Sequence, residues 1–170
     1  QFSRKCTGFR MFGGSPSMAY FYTIPEFLDL CTQVGANPWI IIPTALEDAE
    51  LDEIGLFLGE HANNSKFSDV IVEIGDENWN YIFRSEQVPP PEALGPVATR
   101  AFDRIVAAAG PNIHLTKIMG GQYVNPDLSL QYLNGISNTD KISIAGYFFE
   151  SINTGDSQQD VISHLFANNT

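Results

Sequence analysis

Positive charge is scarce in this chain. Its 170 residues carry 9 Lys and Arg against 20 Asp and Glu, a formal net charge of −11. A nucleic-acid backbone is held by clustered Lys and Arg, so the balance argues against nucleic acid as a partner. The acids are scattered rather than gathered in a run, which reads as a solvated acidic surface. A neutral sugar is not repelled by such a surface. Cysteine is also rare. Cys6 and Cys31 have neither CxxC spacing nor a nearby histidine; they read as free thiols, with one disulfide as the alternative. No apolar run approaches the ~18 residues of a membrane span, so no membrane partner is expected. Gln1 to Lys5 lead into no apolar segment, and no signal peptide is visible. His61 and His164 fall in helical segments and His114 opens a strand. No two are spaced as metal ligands, so no metal site is expected. GxSxG, the P-loop and GxGxxG are absent, and no cofactor is implied.

What is present is an ordinary globular composition, 44% hydrophobic and 12% aromatic. The length suits a single domain over residues 1–170 with a sizeable core. The first ~23 residues are loop-like, with a short strand possible in pattern at Phe9-Arg10-Met11-Phe12. Thr23 and Glu26 form a capping-box signature for a helix that carries Phe27, Leu28, Leu30, Cys31 and Val34 inward and stops at Gly35. Asn37 to Pro43 reads as a buried strand, with Pro38 at its start and Pro43 ending it. Thr44 precedes an acidic helix from Glu47 to about Ala62, with Leu51, Ile54, Leu58 and His61 at helical spacing. Asp69 to Gly75 is a second β-branched strand. After Trp79 a stiff excursion passes Pro89-Pro90-Pro91. A helix over 96–109 then turns Val97, Ala101, Ile105 and Ala108 to one face. A strand over 112–119, a helix over 127–136, a strand over 141–150 and a helix over 157–167 complete the pattern.

Strands alternating with helices predict right-handed parallel βαβ units, an α/β fold. The sheet is either open or part of a parallel (β/α) barrel of TIM type. A complete barrel needs about 200 residues or more, and this chain supplies about five of the eight units. In such sheets chemistry sits at the carboxyl ends of the strands. There the strand ending in Ile74 runs into Gly75-Asp76-Glu77-Asn78-Trp79-Asn80. Glu77 is the candidate acid. Asp76 and Asn78 offer hydrogen bonds to a ligand. Trp79 offers an apolar face for a sugar ring or for core packing. If strand parity continues, Glu73 and Glu77 share a side, and Asp76 points away from Glu77. Glu73 reads as a structural ion pair with Arg4 or Arg10, because a buried carboxylate needs a partner. Tyr123 and Tyr147 stand at the ends of two further strands and complete a polar, aromatic rim.

The segment Val72-Glu73-Ile74-Gly75-Asp76-Glu77-Asn78-Trp79-Asn80 resembles the fourth-strand motif of clan A glycoside hydrolases, in particular the α-L-arabinofuranosidase-like branch. That motif typically reads Glu-Ile-Gly-Asn-Glu, and its last Glu is the general acid/base. The resemblance assigns that role to Glu77. It assigns the sugar-contacting position before it to Asp76, where the family carries Asn. Pro25 to Cys31 with Val34 to Ile40 is similar to the family's preceding helix and third strand. Arg10 to Gly14 is similar to its second-strand segment with Phe12 in place of Pro, and Asp140 to Tyr147 to its sixth strand with Ala145 in place of His. The family's nucleophile is a Glu at the end of the seventh strand, which this chain does not reach, and Glu150 is not given that role.

The resemblance therefore implies a retaining glycoside hydrolase-like domain that acts on or binds an oligosaccharide or polysaccharide, with Glu77 as acid/base. The nucleophile would be supplied by the remaining barrel segments of a longer protein. The isolated segment is then expected to be inactive, and a secreted or extracellular location is implied. The alternative is a catalytically inactive carbohydrate-binding or interaction α/β domain.

Overall fold

Helices and strands begin where local chemistry punctuates the chain. The computed structural model describes residues 7–9, 18–20, 23–80, 89–144, 155 and 157–159, the first two groups as backbone only. Strands β1 (Thr7–Phe9) and β2 (Met18–Tyr20) pair antiparallel. Helix α1 (Ile24–Val34) opens with the expected capping box: the Thr23 N–H donates to the Glu26 carboxylate at 2.8 Å, and the Glu26 N–H returns a bond to Thr23 Oγ1 at 3.5 Å. It ends at Gly35, whose φ of 69° suits a residue without a side chain. Strand β3 (Trp39–Ile42) follows, then helix α2 (Asp48–His61), whose cap is Glu47 rather than Thr44. The Glu47 N–H is satisfied by the Glu50 carboxylate at 2.9 Å.

Strand β4 (Val70–Ile74), helix α3 (Pro91–Ala109), strand β5 (Leu115–Gly121), helix α4 (Pro126–Leu133) and strand β6 (Lys141–Ile144) complete the order. Several boundaries differ from the pattern reading, among them those of β5, which spans Leu115–Gly121 rather than 112–119. Helix α3 starts five residues earlier than Pro96, which lies inside it. A helical proline forfeits one backbone bond. The first turns are retained because Leu94 and Gly95 are buried, with Gly95 against the Asn134 carbonyl at the end of α4. Helix α4 stops at Leu133 instead of Ile136, and its start is capped by Asn125 Oδ1, which accepts from the Leu128 N–H at 3.0 Å. The strand expected over 141–150 is described to Ile144. Most of the expected 9–12 strand and of the last helix lies outside the described residues.

Strands β3 to β6 form one parallel sheet in the order β3-β4-β5-β6, with Ile41 opposite Glu73, Glu73 opposite Ile118, and Ile118 opposite Lys141. Each crossover advances one strand in one direction, and crossovers of one hand then put the helices on one face. The apolar cluster bears this out. Ile40, Ile42, Val70, Val72, Ile74 and Met119 join Leu51, Leu58, Phe102 and Ile105 from the helices. Full burial of each such side chain contributes about 1.5–3 kcal/mol.

Helices α2 and α3 touch almost backbone to backbone. A Cβ on Gly59 would fall 2.2 Å from the Ala109 carbonyl oxygen, and one on Gly55 would fall 2.5 Å from that of Ile105. At the rim Arg100 pairs with Asp48, and Arg104 with Asp48 and Asp52. This close approach turns α3 so that Ala98, Phe102 and Ala109 are buried with Ala101 and Ile105, while Val97 and Ala108 are only partly covered. On α2, Ala62 takes the inward position and His61 lies exposed against the Phe57 ring at 4.5 Å. On α1, Leu28 and Cys31 are buried, whereas Leu30 and Val34 are exposed. Cys31 is a free thiol, and burial pushes its pKa up.

The other face of the sheet carries no helix among the described residues. Alternation along each strand brings Trp39, Ile41, Glu73, Thr116, Ile118, Gly120 and Ser143 to it. Trp39 and Ile41 are exposed there, and Ile118 is buried yet outside the apolar cluster.

Candidate functional site

The site begins where β4 ends. Ile74 is the last strand residue, and Gly75 turns the backbone at φ 72°. A Cβ at Gly75 would stand 2.0 Å from Asn78 Oδ1, so glycine is required both for the angle and for the room. Asn78 is buried and its Nδ2 donates to the Ile74 carbonyl at 3.1 Å, which stitches the loop to the strand. The next turn is closed by the Asn80 N–H on the Glu77 carbonyl at 2.7 Å. Asn80 Nδ2 also donates to Glu77 Oε2 at 3.0 Å. Glu77 has φ 40°, the one non-glycine positive φ among the described residues.

Strand parity therefore stops at Ile74. The expectation that Glu77 shares a side with Glu73 because of alternation does not carry through a loop with two left-handed residues. The relation between Asp76 and Glu77 changes as well. Burial raises the Asp76 pKa, and the Glu77 charge adds to the shift, so the two adjacent acids do influence one another. Asp76 is exposed at the surface of the loop, and Glu77 is half-buried.

Glu73 has neutral hydrogen-bond partners among the described residues, and its expected ion-pair partners Arg4 and Arg10 fall outside them. It is 9% exposed on the helix-free face. Its Oε2 accepts from Trp39 Nε1 at 2.8 Å and its Oε1 from Ser143 Oγ at 2.9 Å. Among the described residues no cation pairs with it; Arg4 and Arg10 lie outside them. Burial raises its pKa, the Ser143 and Trp39 donors oppose that rise, and the Asp76 charge adds to it. The carboxylate reaches Ser143 on β6 by passing over Gly120 on the intervening β5, where a Cβ would stand 2.8 Å from Oε1. Trp39 and Ser143 are partners that pattern reading missed. The available signal was parity: Trp39 alternates with Ile40, and Ser143 with Ile142 and Ile144.

Trp79 stacks on the buried Tyr132 of α4, with ring centroids 6.4 Å apart and planes 22° apart. Trp79 is half-buried and packs against the apolar cluster. Tyr123 is half-buried just beyond the end of β5, the strand beside β4. Tyr147 and Glu150 lie outside the described residues. Asp76, Glu77, Asn78 and Trp79 are thus gathered in one loop, with Tyr123 following the adjacent strand.

At the opposite, amino end of the sheet, Asp69 accepts from the Thr116 hydroxyl at 2.8 Å and meets His114 Nδ1 at 3.0 Å. His114 is therefore far along the strand from the acidic loop. Among the described residues no group of three or more His, Cys, Asp or Glu could hold a metal ion, and no helix is long and apolar enough to cross a membrane.

Comparison with protein-family models, with curated proteins and with solved structures gives no match. The fold and site by themselves define an α/β protein with a four-stranded, all-parallel sheet and an acidic, amide-bearing loop at the carboxyl end of a central strand.

Proposed function

We propose that the sheet is a segment of a parallel (β/α) barrel of TIM type, and that the domain is glycoside hydrolase-like. It acts on an oligosaccharide or polysaccharide by a retaining mechanism. Glu77 is the general acid/base and the nucleophile lies outside this chain. One observation carries the reading: the sheet winds in a single direction, β3-β4-β5-β6, and leaves one face free of helices among the described residues. Doubly wound sheets reverse their order and cover both faces; barrel walls do not. The Glu73 carboxylate reaching over Gly120 to Ser143 supports the same reading, since side chains converge across strands on a concave face.

In this mechanism Glu77 protonates the leaving oxygen and then activates water. Its partner carboxylate would stand about 5–5.5 Å away. Asp76 takes the position where the resembled motif carries an amide. An ionised carboxylate cannot donate to a sugar hydroxyl, but a protonated one can. The raised Asp76 pKa extends the range in which it donates, which suits a site working on the acidic side of neutrality.

A second reading, a catalytically inactive carbohydrate-binding or interaction domain, draws on that same substitution at Asp76. Both readings put a neutral sugar at the carboxyl edge of the sheet. Amide shifts recorded with a panel of neutral oligosaccharides test this. Shifts at residues 76–80 and 122–123 are expected. Shifts confined to the amino edge, around Asn37, Asn64 and His114, would sink both. Release of reducing sugar by the protein that also supplies the nucleophile separates the first reading from the second.

A further inference from the structure

We propose that Asn80 is the positioning residue of the Glu77 carboxyl group, an inference that rests on the reading of Glu77 as acid/base. Asn80 holds Glu77 at both ends. Its backbone N–H closes the turn on the Glu77 carbonyl at 2.7 Å, and its side-chain Nδ2 donates to Glu77 Oε2 at 3.0 Å. The backbone of Glu77 sits at φ 40°. A residue with a side chain persists in such a conformation only where its surroundings over-determine it. Here they do so from both sides. Gly75 and the buried Asn78 fix the base of the loop to Ile74, and Asn80 fixes its far end to Glu77. The two asparagines divide the work: Asn78 ties the loop to the strand, and Asn80 ties the acid to the loop.

The chemistry of the amide gives this tie a consequence for proton transfer. An amide NH2 group donates and does not accept. While this bond is kept, Oε2 is the accepting oxygen, and a proton gained by Glu77 goes to Oε1. A retaining mechanism gives that proton up in one step and recovers it in the next. Keeping it on one oxygen keeps both steps in one geometry. A neutral donor also does this without the full positive charge of a lysine, which would hold the carboxyl ionised.

The first test needs no turnover. In the wild-type chain the Asn80 side-chain amide signals should move on acidification, because the amide is bonded to the Glu77 carboxyl group. In Glu77→Gln that movement should vanish, while the Asn78 amide, bonded to a backbone carbonyl, is not expected to track it in either protein. An Asn80 amide indifferent to Glu77→Gln overturns the proposal. The second test uses the active protein. Asn80→Ala should lower kcat on aryl glycosides with poor leaving groups by about ten- to a hundredfold, with KM little changed and activated leaving groups largely spared. Asn80→Gln, which keeps the donor, should recover part of the loss. If Glu77→Gln shows the leaving-group signature and Asn80→Ala does not, the positioning role is wrong and the acid/base reading stands. If Glu77→Gln lacks the signature, the acid/base reading itself fails.

Discussion

Ser143→Ala should carry a stability penalty that grows with pH. Among the described residues the Ser143 hydroxyl is one of two donors to the Glu73 carboxylate, at 2.9 Å, and the other is the Trp39 indole at 2.8 Å. Glu73 is 9% exposed, so water cannot replace a lost donor cheaply. A hydrogen bond to a charged group contributes about 1.5–3 kcal/mol, against about 0.5–1.5 kcal/mol for a neutral pair. The penalty should therefore be near the upper range when Glu73 is ionised and near the lower range when it is protonated. The direction follows from linkage. Burial already raises the Glu73 pKa above its unfolded value, so its contribution to stability is fully present below the unfolded pKa. That contribution is lost as pH rises through the folded pKa. Removing a donor to the charged form raises the folded pKa further and deepens the loss. Urea unfolding of wild type and Ser143→Ala at about pH 4 and about pH 8 reads the difference directly. A penalty of equal size at both pH values would refute the reasoning, because it would mean that the hydroxyl does not sense the charge on Glu73.

Two further predictions concern the same framework. Glu73→Gln should be tolerated, since its oxygen can accept from Trp39 while its amide donates to a rotated Ser143 hydroxyl; its stability relative to wild type should improve as pH rises through the window in which Glu73 ionises, as measured by the same unfolding series. A collapse of the fold at all pH values would instead restore the ion-pair reading of Glu73. Gly59→Ala should destabilise by about 1–3 kcal/mol, because its Cβ would fall 2.2 Å from the Ala109 carbonyl oxygen and force α2 from α3; a melting temperature equal to wild type would count against that close approach.

Much of this architecture was legible in the chain because it rests on local signals. Thr23, Glu26 and Gly35 mark both ends of α1, and the β-branched runs at 40–42 and 70–74 mark two central strands. What local patterns could not show depends on contacts far apart in sequence. Pro96 reads as a helix start, yet burial of Leu94 and Gly95 draws the helix past it. Glu73 reads as needing a cation; its partners among the described residues are neutral donors from strands 34 residues before and 70 residues after it. The acidic loop was located by the strand before it and by residue type. Its internal geometry was not, because Gly75 and the positive φ of Glu77 end the alternation on which parity reasoning depends. Trp79 shows the same limit: residue type suits it both to a sugar and to core packing, and its stack on Tyr132, a contact distant from it in sequence, is visible only in the fold.

The central proposal is that Glu77 transfers the proton in glycoside cleavage, and the most direct measurement is the leaving-group dependence of Glu77→Gln in the intact protein. General acid/base catalysis typically contributes ~10²–10⁴-fold. The account predicts a loss of about that size on aryl glycosides with poor leaving groups, a much smaller loss of glycosylation rate on activated ones, and nearly unchanged affinity. A rate on poor leaving groups that is untouched by Glu77→Gln would contradict it.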